Sequence, residues 1–297
     1  MNNAKALQSL LDAPGIIPMP GVFDPVSTRL AERAGFEAAF MSGFMVAAAR
    51  IGMPDTGLIS YAEMLDQGRN LVDAVSIPVI GDGDTGWGNA INIKRTVKGY
   101  AAAGLACVML EDQLAPKRCG HTQGKQVVGR AEANVRFRAA VDAREEVRAA
   151  GGDILIMART DANATHGLEE AMERCRQFRT IGVDITFLEA PKTVDEMKRY
   201  CDEVEGPKMA NMVEQGKTPF LTPRELEAIG YKIAIWPAAI MLAAIKGMEV
   251  EMARLARGEV GEDGKKTFLE LQDLVGFPAY YQAEKDYFFE DLDEAAE

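Results

Sequence analysis

Eight short apolar runs, separated by stretches with helical spacing, constrain the fold of this 297-residue chain more than any other feature. Such runs are typical of strands buried on both faces, and amphipathic connections are typical of parallel crossovers. The predicted strands are residues 16–22, 38–41, 78–81, 107–110, 154–158, 185–188, 208–210 and 233–236. Helical spacing fills connections such as 90–103, 131–149 and 168–181. Eight strand–helix units predict an α/β fold, a closed (β/α)8 TIM-type barrel rather than a sandwich.

Polar residues gather at the carboxyl ends of these predicted strands. They are Ser42, Asp82, Asp84, Glu111, Asp112, Arg159, Asp161, Glu189 and Asn211. Strand ends are often polar, but a full ring of acids, an arginine and an asparagine is unusual. Since barrel enzymes carry their active sites at that face, we expect these side chains to form one site.

The segment after the eighth strand forms a tail. Residues 238–257 are rich in apolar side chains, residues 258–264 form a charged linker with glycines, and a helix over 265–275 and an aromatic segment over 277–289 follow. We therefore expect a barrel domain over 1–258, which includes an N-terminal helix, and a helical tail over 259–297. Thr222 and Pro223 are expected to open a helix as N-cap and first residue.

Composition excludes several classes of protein. The net charge of -12 argues against non-specific binding to nucleic acid. No apolar run reaches the length of a membrane helix and no secretory signal is recognisable, so we expect a cytoplasmic protein that does not bind membranes. The four cysteines lack CxxC spacing, which favours free thiols, and two histidines are too few for a multi-histidine zinc site.

Two stretches carry groups suited to chemistry. Asp82 and Asp84, separated by a glycine, present hard carboxylate oxygens of the kind that Mg²⁺ prefers, and Mn²⁺ could substitute. Residues 117–121 place Lys117, Arg118 and His121 around Cys119, and neighbouring cations are expected to lower the pKa of that thiol. Most cysteines are structural, and Cys119 could be one. Glycines 120 and 124 would let the loop open and close over a reacting centre.

Arg159 is suited to grip a carboxylate with two parallel hydrogen bonds. The alternative is a salt bridge to Glu189 or Asp161, and both roles can hold together. The glycine-rich stretch 86–89 could be a simple turn before a helix, because it lacks a phosphate-loop pattern. His166 is expected to be an ordinary surface residue.

The sequence GDGDTGWGN at 81–89, with LEDQ at 110–113 and KRCGH at 117–121, resembles the isocitrate lyase and phosphoenolpyruvate mutase superfamily. The likeness runs from about residue 21 to residue 237 and is nearest to the methylisocitrate lyase and 2,3-dimethylmalate lyase branch. It implies that Asp84 binds Mg²⁺ directly, and that Asp82, Asp55 and Glu111 hold its water ligands.

The resemblance also assigns roles to other residues. Cys119 would exchange a proton with the carbanion, with Lys117, His121, Arg159 and Glu189 as further catalytic groups. Substrate carboxylates would be held by Ser42, Gly43, Asp82, Gly120, Arg159, Asn211 and Thr218, the last two within the stretch that also contains Glu214, Gly216 and Pro219. The last barrel helix would be exchanged between subunits of a homotetramer built as a dimer of dimers; a tail packed on its own barrel stays the alternative.

These expectations describe a Mg²⁺-dependent carbon–carbon lyase that cleaves a 2-hydroxy di- or tricarboxylate, of the 2-methylisocitrate or 2,3-dimethylmalate type, to pyruvate and a second carboxylate. One alternative is an oxaloacetate hydrolase or decarboxylase, or a phosphonopyruvate-type enzyme, on the same scaffold. Another is a non-catalytic protein that binds 2-oxo acids. Phe44 and Trp87 stand where relatives often have other residues, which leaves the substrate open.

Overall fold

The computed structural model describes residues 2–120 and 124–287, which divide into two compact units, Met1–Ala244 and Ile245–Glu297. The first unit contains the barrel, and the second contains most of the tail.

Eight parallel strands form the barrel, which confirms the predicted fold class. The hydrogen-bonded order runs β6-β5-β4-β3-β2-β1-β8-β7, and a parallel bridge between Thr186 and Lys208 joins the two ends of the sheet. The strands are β1 (Ile17–Val22), β2 (Ala39–Met41), β3 (Val79–Asp82), β4 (Cys107–Glu111), β5 (Leu155–Thr160), β6 (Ile185–Leu188), β7 (Met209–Asn211) and β8 (Ile233–Trp236).

Thirteen helices are present in the described part of the chain. Those of the first unit are α1 (Asn3–Asp12), α2 (Pro25–Arg33), α3 (Gly43–Ile51), α4 (Tyr61–Asp73), α5 (Ala90–Ala102), α6 (Arg130–Ala149), α7 (Ala162–His166), α8 (Leu168–Ile181), α9 (Val194–Glu203) and α10 (Pro223–Ile229). Three follow β8: α11 (Ala239–Ala256), α12 (Phe268–Val275) and α13 (Phe277–Lys285).

Alternating strand residues build two layers of core. Phe40 and Ile80 belong to the cluster inside the barrel, whereas their neighbours Met41 and Val79 pack outside, among the helices. Leu7 of α1 is fully buried in the inner cluster, so α1 is part of the barrel's packing. The two-residue period of a strand sends successive side chains to opposite faces, and both faces of a barrel strand are buried.

The helix starts follow local capping chemistry. Thr222 caps α10 and Pro223 is its first residue, as predicted. Asn89 caps α5 by accepting hydrogen bonds from the backbone N–H groups of Ile91 and Asn92. The glycine-rich stretch 86–89 is therefore a turn that leads into a helix.

Four of the strands, β3, β4, β5 and β7, end one or two residues later than predicted. Asp82, Glu111, Arg159 and Asn211 are residues of the strands themselves, and β5 continues to Thr160. Sequence periodicity assigns polar residues to loops, but here they keep the parallel register: Arg159 pairs with Glu111 on one side and with Phe187 on the other. Glu111 and Arg159 form an ion pair at the strand ends, whereas Asp82 accepts hydrogen bonds from two backbone N–H groups and Asn211 donates one to Glu189, which a local pattern does not reveal.

Three further expectations concern membrane helices, the cysteines and His166. No helix within the described ranges combines the length and apolar character needed to cross a membrane. The four cysteines all lie in described parts of the chain, and none forms a disulfide. His166 is exposed as expected, although it ends the short helix α7 rather than lying in a loop.

Candidate active site

A cavity of about 180 Å³ opens among the carboxyl ends of the strands. Ten residues that the sequence analysis singled out line it: Ser42, Phe44, Asp55, Asp82, Lys117, Cys119, Gly120, Arg159, Glu189 and Asn211. Seven apolar residues complete the wall: Phe40, Met45, Met109, Phe187, Val213, Ile235 and Pro237. The cavity is thus lined by both polar and apolar residues, all of which belong to the first unit.

The β3 end holds the paired carboxylates. Asp82 Oδ2 accepts a hydrogen bond from the backbone N–H of Gly43 at 3.1 Å, and Asp82 Oδ1 accepts one from the backbone N–H of Asp84 at 3.0 Å. A methyl group on Gly43 would lie only 2.6 Å from Asp82 Oδ2, so a larger residue here would have to displace that carboxylate. Asp84 has a φ of 46°, in the left-handed region where a non-glycine residue is strained.

Gly43 also begins α3, which places the first N–H groups of that helix beside the cavity. The preceding residue, Ser42, is buried, lines the cavity and makes no capping bond to the helix with its side chain. Unsatisfied N–H groups at a helix start attract anions. The Gly43 N–H already donates to Asp82, and Ser42 lies at the cavity; the carboxylate cradle expected of these two residues stays a prediction.

Lys117 extends into the acidic cluster. Its ammonium pairs with Asp55 and lies 2.8 Å from Asp84 Oδ1, and all three side chains are buried. Burial alone would lower the pKa of Lys117, but Asp84, Asp82 and Glu111 raise it well above its usual value. Burial raises the pKa of Asp84 to about 7 in spite of the lysine. Lys117 thus stays charged, whereas Asp84 can exchange a proton near neutral pH.

Arg159 makes three ion pairs, which confirms the salt bridges foreseen for it. Its Nε lies 2.8 Å from Asp161 Oδ2 and 3.3 Å from Glu111 Oε2, and its Nη2 lies 3.3 Å from Glu189 Oε2. Asn211 donates to the same Glu189 oxygen at 3.4 Å. Burial raises the pKa of Glu111 well above its usual value, although Arg159 opposes the shift. The guanidinium is held in place on several sides and still lines the cavity.

The loop that carries Cys119 begins in a short hairpin. The side-chain amide of Gln113 accepts a hydrogen bond from the backbone N–H of Arg118 and donates one to the backbone carbonyl of Arg118, both at 2.8 Å. The backbone of Gln113 forms an antiparallel bridge with Val127. Cys119 is half-buried at the cavity wall. His121, predicted to be catalytic, lies outside the described residues.

Three further residues predicted for the site, Asp84, Glu111 and Thr218, do not line the cavity. Asp84 forms an ion pair with Lys117, and Glu111 forms one with Arg159; both of these cations line the cavity. Thr218 is buried, and its hydroxyl makes no hydrogen bond to the described residues. Its predicted contact with a substrate carboxylate stays a prediction.

The carboxylates at this site suit a divalent cation that keeps most of its water ligands better than one coordinated by protein atoms alone. Among residues 2–120 and 124–287, no three histidine, cysteine or acidic side chains converge to surround a metal. Mg²⁺ needs few protein ligands because it keeps several waters. The buried Glu111 Oε1 accepts no hydrogen bond from the described residues, which suits an oxygen that receives one from an ordered water.

The charges agree with that fit. Six buried carboxylates stand against three buried cations within the described site: Asp55, Asp82, Asp84, Glu111, Asp161 and Glu189 against Lys117, Lys125 and Arg159. A bound dication would favour the ionised forms of Asp84 and Glu111, whose pKa values burial raises, and would offset the charge of the cluster.

Sequence reasoning missed Lys125, whose ammonium is buried against Asp161 at 2.8 Å. It also missed the support beneath Asp161: Asp112 accepts from the backbone N–H of Asp161 at 3.0 Å and from the Thr160 hydroxyl at 2.6 Å. The only available signal was that Lys125 closely follows the KRCGH loop. The apolar wall formed by Val213 and Ile235 had no signal beyond hydrophobicity.

Comparison with known proteins agrees with this arrangement. Residues 7–256 match the family model described as phosphoenolpyruvate phosphomutase. The chain is 40% identical to the 2,3-dimethylmalate lyase of Eubacterium barkeri, over 97% of this chain and 99% of that protein. It is 38% identical to a 2-methylisocitrate lyase of Aeropyrum pernix, over 92% of this chain and 87% of that protein.

Two solved structures show the same fold over nearly the whole chain. Oxaloacetate acetylhydrolase in complex with 3,3-difluorooxalacetate has a TM-score of 0.92 at 34% identity, covering 96% of this chain and 97% of that one. Phosphonopyruvate hydrolase in complex with oxalate and Mg²⁺ has a TM-score of 0.84 at 27% identity, covering 97% of this chain and 99% of that one. Family model, sequence relatives and fold all agree with the motifs, and the chain therefore belongs to the phosphoenolpyruvate phosphomutase family, within the isocitrate lyase superfamily.

Proposed function

We propose that this protein is a Mg²⁺-dependent lyase that cleaves a 2-hydroxy di- or tricarboxylate of the 2-methylisocitrate or 2,3-dimethylmalate type, releasing pyruvate and a second carboxylate. The coarser expectation of a carbon–carbon lyase is confirmed by two relatives, which are named 2,3-dimethylmalate lyase and 2-methylisocitrate lyase. Mg²⁺ and the particular substrate belong to the proposal.

One observation carries the proposal. One cavity is lined both by Lys117 with Asp55 and Asp82 and by Cys119 with Arg159 and Glu189. Cleavage of a 2-hydroxy acid with two carboxylates needs a cationic or metal site for the hydroxy acid end and a second cation for the far carboxylate. It also needs a proton donor for the carbon that is released.

The chain's own residues would bind and orient the substrate. Ser42 and the N–H groups that follow Gly43 at the start of α3 would receive the carboxylate of the part that becomes pyruvate. Arg159, held by Asp161 and Glu189, would pair with the carboxylate of the departing fragment. Mg²⁺, held by Asp84 directly and by Asp82, Asp55 and Glu111 through water, would stabilise negative charge on the substrate's hydroxyl oxygen.

Cleavage would then proceed as a retro-aldol step. The hydroxyl group gives its proton to a base in the cavity, its oxygen forms the carbonyl of pyruvate, and the carbon–carbon bond breaks. The electron pair of that bond goes to the carbon beside the departing carboxylate. Cys119 would donate its thiol proton to that carbon and regain a proton afterwards.

The apolar wall supports a substrate with alkyl substituents. Phe44, Val213 and Ile235 line the cavity with hydrocarbon, and burying one methylene against such a surface contributes about 0.8 kcal/mol. A methyl-bearing malate or isocitrate gains from these contacts, whereas oxaloacetate has no alkyl branch to bury.

An oxaloacetate hydrolase stays the alternative, because the structure of oxaloacetate acetylhydrolase matches this chain closely. The phosphonopyruvate-type activity has the weaker support of a structure at 27% identity. A protein that only binds 2-oxo acids would need no proton donor at the cavity wall.

A substrate panel separates these possibilities. The purified chain would be incubated with Mg²⁺ and 2-methylisocitrate, 2,3-dimethylmalate, oxaloacetate or phosphonopyruvate, with a matched EDTA-treated sample for each. Pyruvate would be followed with a coupled dehydrogenase, and oxalate and phosphate would be measured separately. We expect pyruvate from a methylated hydroxy acid and none after EDTA treatment. Oxalate from oxaloacetate alone, or binding without turnover of any member, would contradict the proposal.

A further inference from the structure

Lys125 is a buried lysine that does not line the cavity. Its ammonium donates to the backbone carbonyl of Gly120 and lies 2.8 Å from Asp161 Oδ1, and the side chains of Lys125 and Asp161 are 1% and 0% exposed. Burying a lysine is costly unless its charge is paired and its donors are used. Lys125 meets that condition with two partners: the Gly120 carbonyl, next to Cys119 in the chain, and the Asp161 carboxylate, which also binds Arg159.

Asp161 connects Lys125 to the cavity. Its two oxygens receive Nε and Nη2 of Arg159 at 2.8 and 3.1 Å, while Oδ1 also receives Lys125. Burial would raise the pKa of Asp161, but Arg159 and Lys125 lower it below its usual value. The carboxylate is therefore ionised and held between the two cations.

The backbone of Gly120 also lies close to Arg159. A methyl group built on Gly120 would lie 2.5 Å from Glu189 Oε2 and 2.6 Å from Arg159 Nη2, so the loop backbone lies directly against this ion pair. The Gly120 carbonyl is at the same time the acceptor for Lys125. The loop backbone next to Cys119 and the guanidinium of Arg159 thus share one support.

We propose that Lys125 is a positioning residue, which sets the distance between the Cys119 thiol and the Arg159 guanidinium through Gly120 and Asp161. This inference rests on the proposed function, in which both groups act on the departing fragment. Lys125 itself touches no substrate in this scheme. Without it, Gly120 loses the donor to its carbonyl, and Asp161 loses one of the two cations that hold it.

The test compares Lys125→Met with Lys208→Met. Lys208 is a matched control: it is also buried, and it also donates to a glycine carbonyl, that of Gly206 at 2.8 Å, but it lies just before β7, at the opposite end of the barrel from the cavity. Each variant is assayed with Mg²⁺ for kcat and KM, and its melting temperature is measured. Misplacing a catalytic group by about 1 Å can lower a rate about 100-fold. We expect kcat of Lys125→Met to fall about 10- to 100-fold, with a change in KM below about threefold, and Lys208→Met to keep its kcat.

A second readout does not depend on turnover. Iodoacetamide alkylation of Cys119 is followed by mass spectrometry of its peptide, in protein loaded with Mg²⁺. We expect alkylation of Cys119 to be several-fold faster in Lys125→Met than in the parent chain or in Lys208→Met. Lys125→Arg, which keeps the charge, should restore part of both kcat and the slow alkylation. If Lys125→Met is insoluble, Lys125→Gln is measured in its place with the same expectations.

Two results would overturn the inference: unchanged alkylation of Cys119, or a loss of kcat no greater than in Lys208→Met. Failure of the proposed function has a different signature, since a parent chain that turns over none of the panel substrates would still report the position of the loop through alkylation.

Discussion

At the scale of single residues, the position of Cys119 is set by the backbone on both sides of it. Gln113 holds both backbone groups of Arg118, and Lys125 holds the carbonyl of Gly120. A thiol on a backbone supported in this way can deliver a proton to one defined point in the cavity, which is what general acid catalysis requires.

Cys119→Ser is expected to keep the fold and the binding of Mg²⁺ and pyruvate but to lose most turnover. The hydroxyl is nearly isosteric with the thiol but does not titrate near neutral pH. General acid–base steps contribute about 10²- to 10⁴-fold, so kcat should fall within that range. Steady-state kinetics with calorimetric binding of pyruvate measure both properties. Near-normal turnover would leave the loop as a cover only and would strengthen the oxaloacetate hydrolase alternative.

Asp84→Ala should abolish turnover and weaken Mg²⁺ binding, because it removes the proposed direct ligand. Asp66→Ala, which changes an exposed carboxylate on α4, is a control that should leave both unchanged. Titration calorimetry and the pyruvate assay measure the two effects. Full activity in an EDTA-treated parent chain would exclude the role of the metal.

The affinity for Mg²⁺ should depend on pH. Since the pKa of Asp84 is raised to about 7 by burial, protons compete with the metal for this carboxylate below pH 7. Binding is therefore strongest above pH 7 and weakens as the pH falls. Between pH 8 and pH 6 we expect about a tenfold loss of affinity by calorimetry. A constant affinity across that range would mean that Asp84 is not the titrating ligand.

At the scale of elements, α3 and the end of β3 are fitted to each other. Gly43 begins the helix, and the missing side chain lets its N–H reach Asp82 Oδ2 at 3.1 Å. The register of β2 with β3, in which Met41 pairs with Gly81, brings the two segments together. The position of the carboxylates thus depends on how a helix start meets the next strand.

Gly43→Ala should lower activity because its methyl group would lie 2.6 Å from Asp82 Oδ2 and displace that carboxylate. We expect kcat/KM to fall at least about tenfold, since small misplacements in an active site are costly. The control is Gly129→Ala at the start of α6, where an added methyl group meets nothing within 4 Å. Parallel kinetics and thermal melts test both. Equal effects of the two substitutions would show that the close approach at Gly43 is unimportant.

At the scale of the whole molecule, the tail carries much exposed apolar surface. Phe268 and Leu269 of α12 are 72% and 75% exposed, and Tyr280 of α13 is 63% exposed. A soluble chain rarely leaves such side chains together in water. Their exposure in a single chain supports the proposal that the tail is covered in an oligomer.

We therefore expect a homotetramer, built as a dimer of dimers, by light scattering at micromolar concentration. Replacing Phe268 and Leu269 with aspartate should shift the mass towards smaller species, because charged side chains oppose burial. Replacing the exposed Glu262 with aspartate serves as the control and should leave the mass unchanged. A monomeric parent chain would contradict the expectation.

The sequence alone was sufficient for the barrel and for grouping several polar residues at the carboxyl ends of its strands. Apolar periodicity is a local property, and eight such runs leave few topologies other than the barrel. Once the strands are parallel, their carboxyl ends must share one face, so Asp82, Glu111 and Arg159 could be grouped without coordinates. The motif around Cys119 identified the superfamily for the same reason, because it is contiguous in the chain.

Only the tertiary structure decided which of these groups touch. Lys117 pairs with Asp55, which is 62 residues away, and Lys125 pairs with Asp161, which is 36 residues away. It also decided that strand β5 continues through Arg159, where a polar residue indicated a loop. Such pairings depend on the closure of the barrel and on the direction in which each loop leaves its strand. Neither is encoded by spacing along the chain, because contact between distant residues is fixed by packing of the whole core.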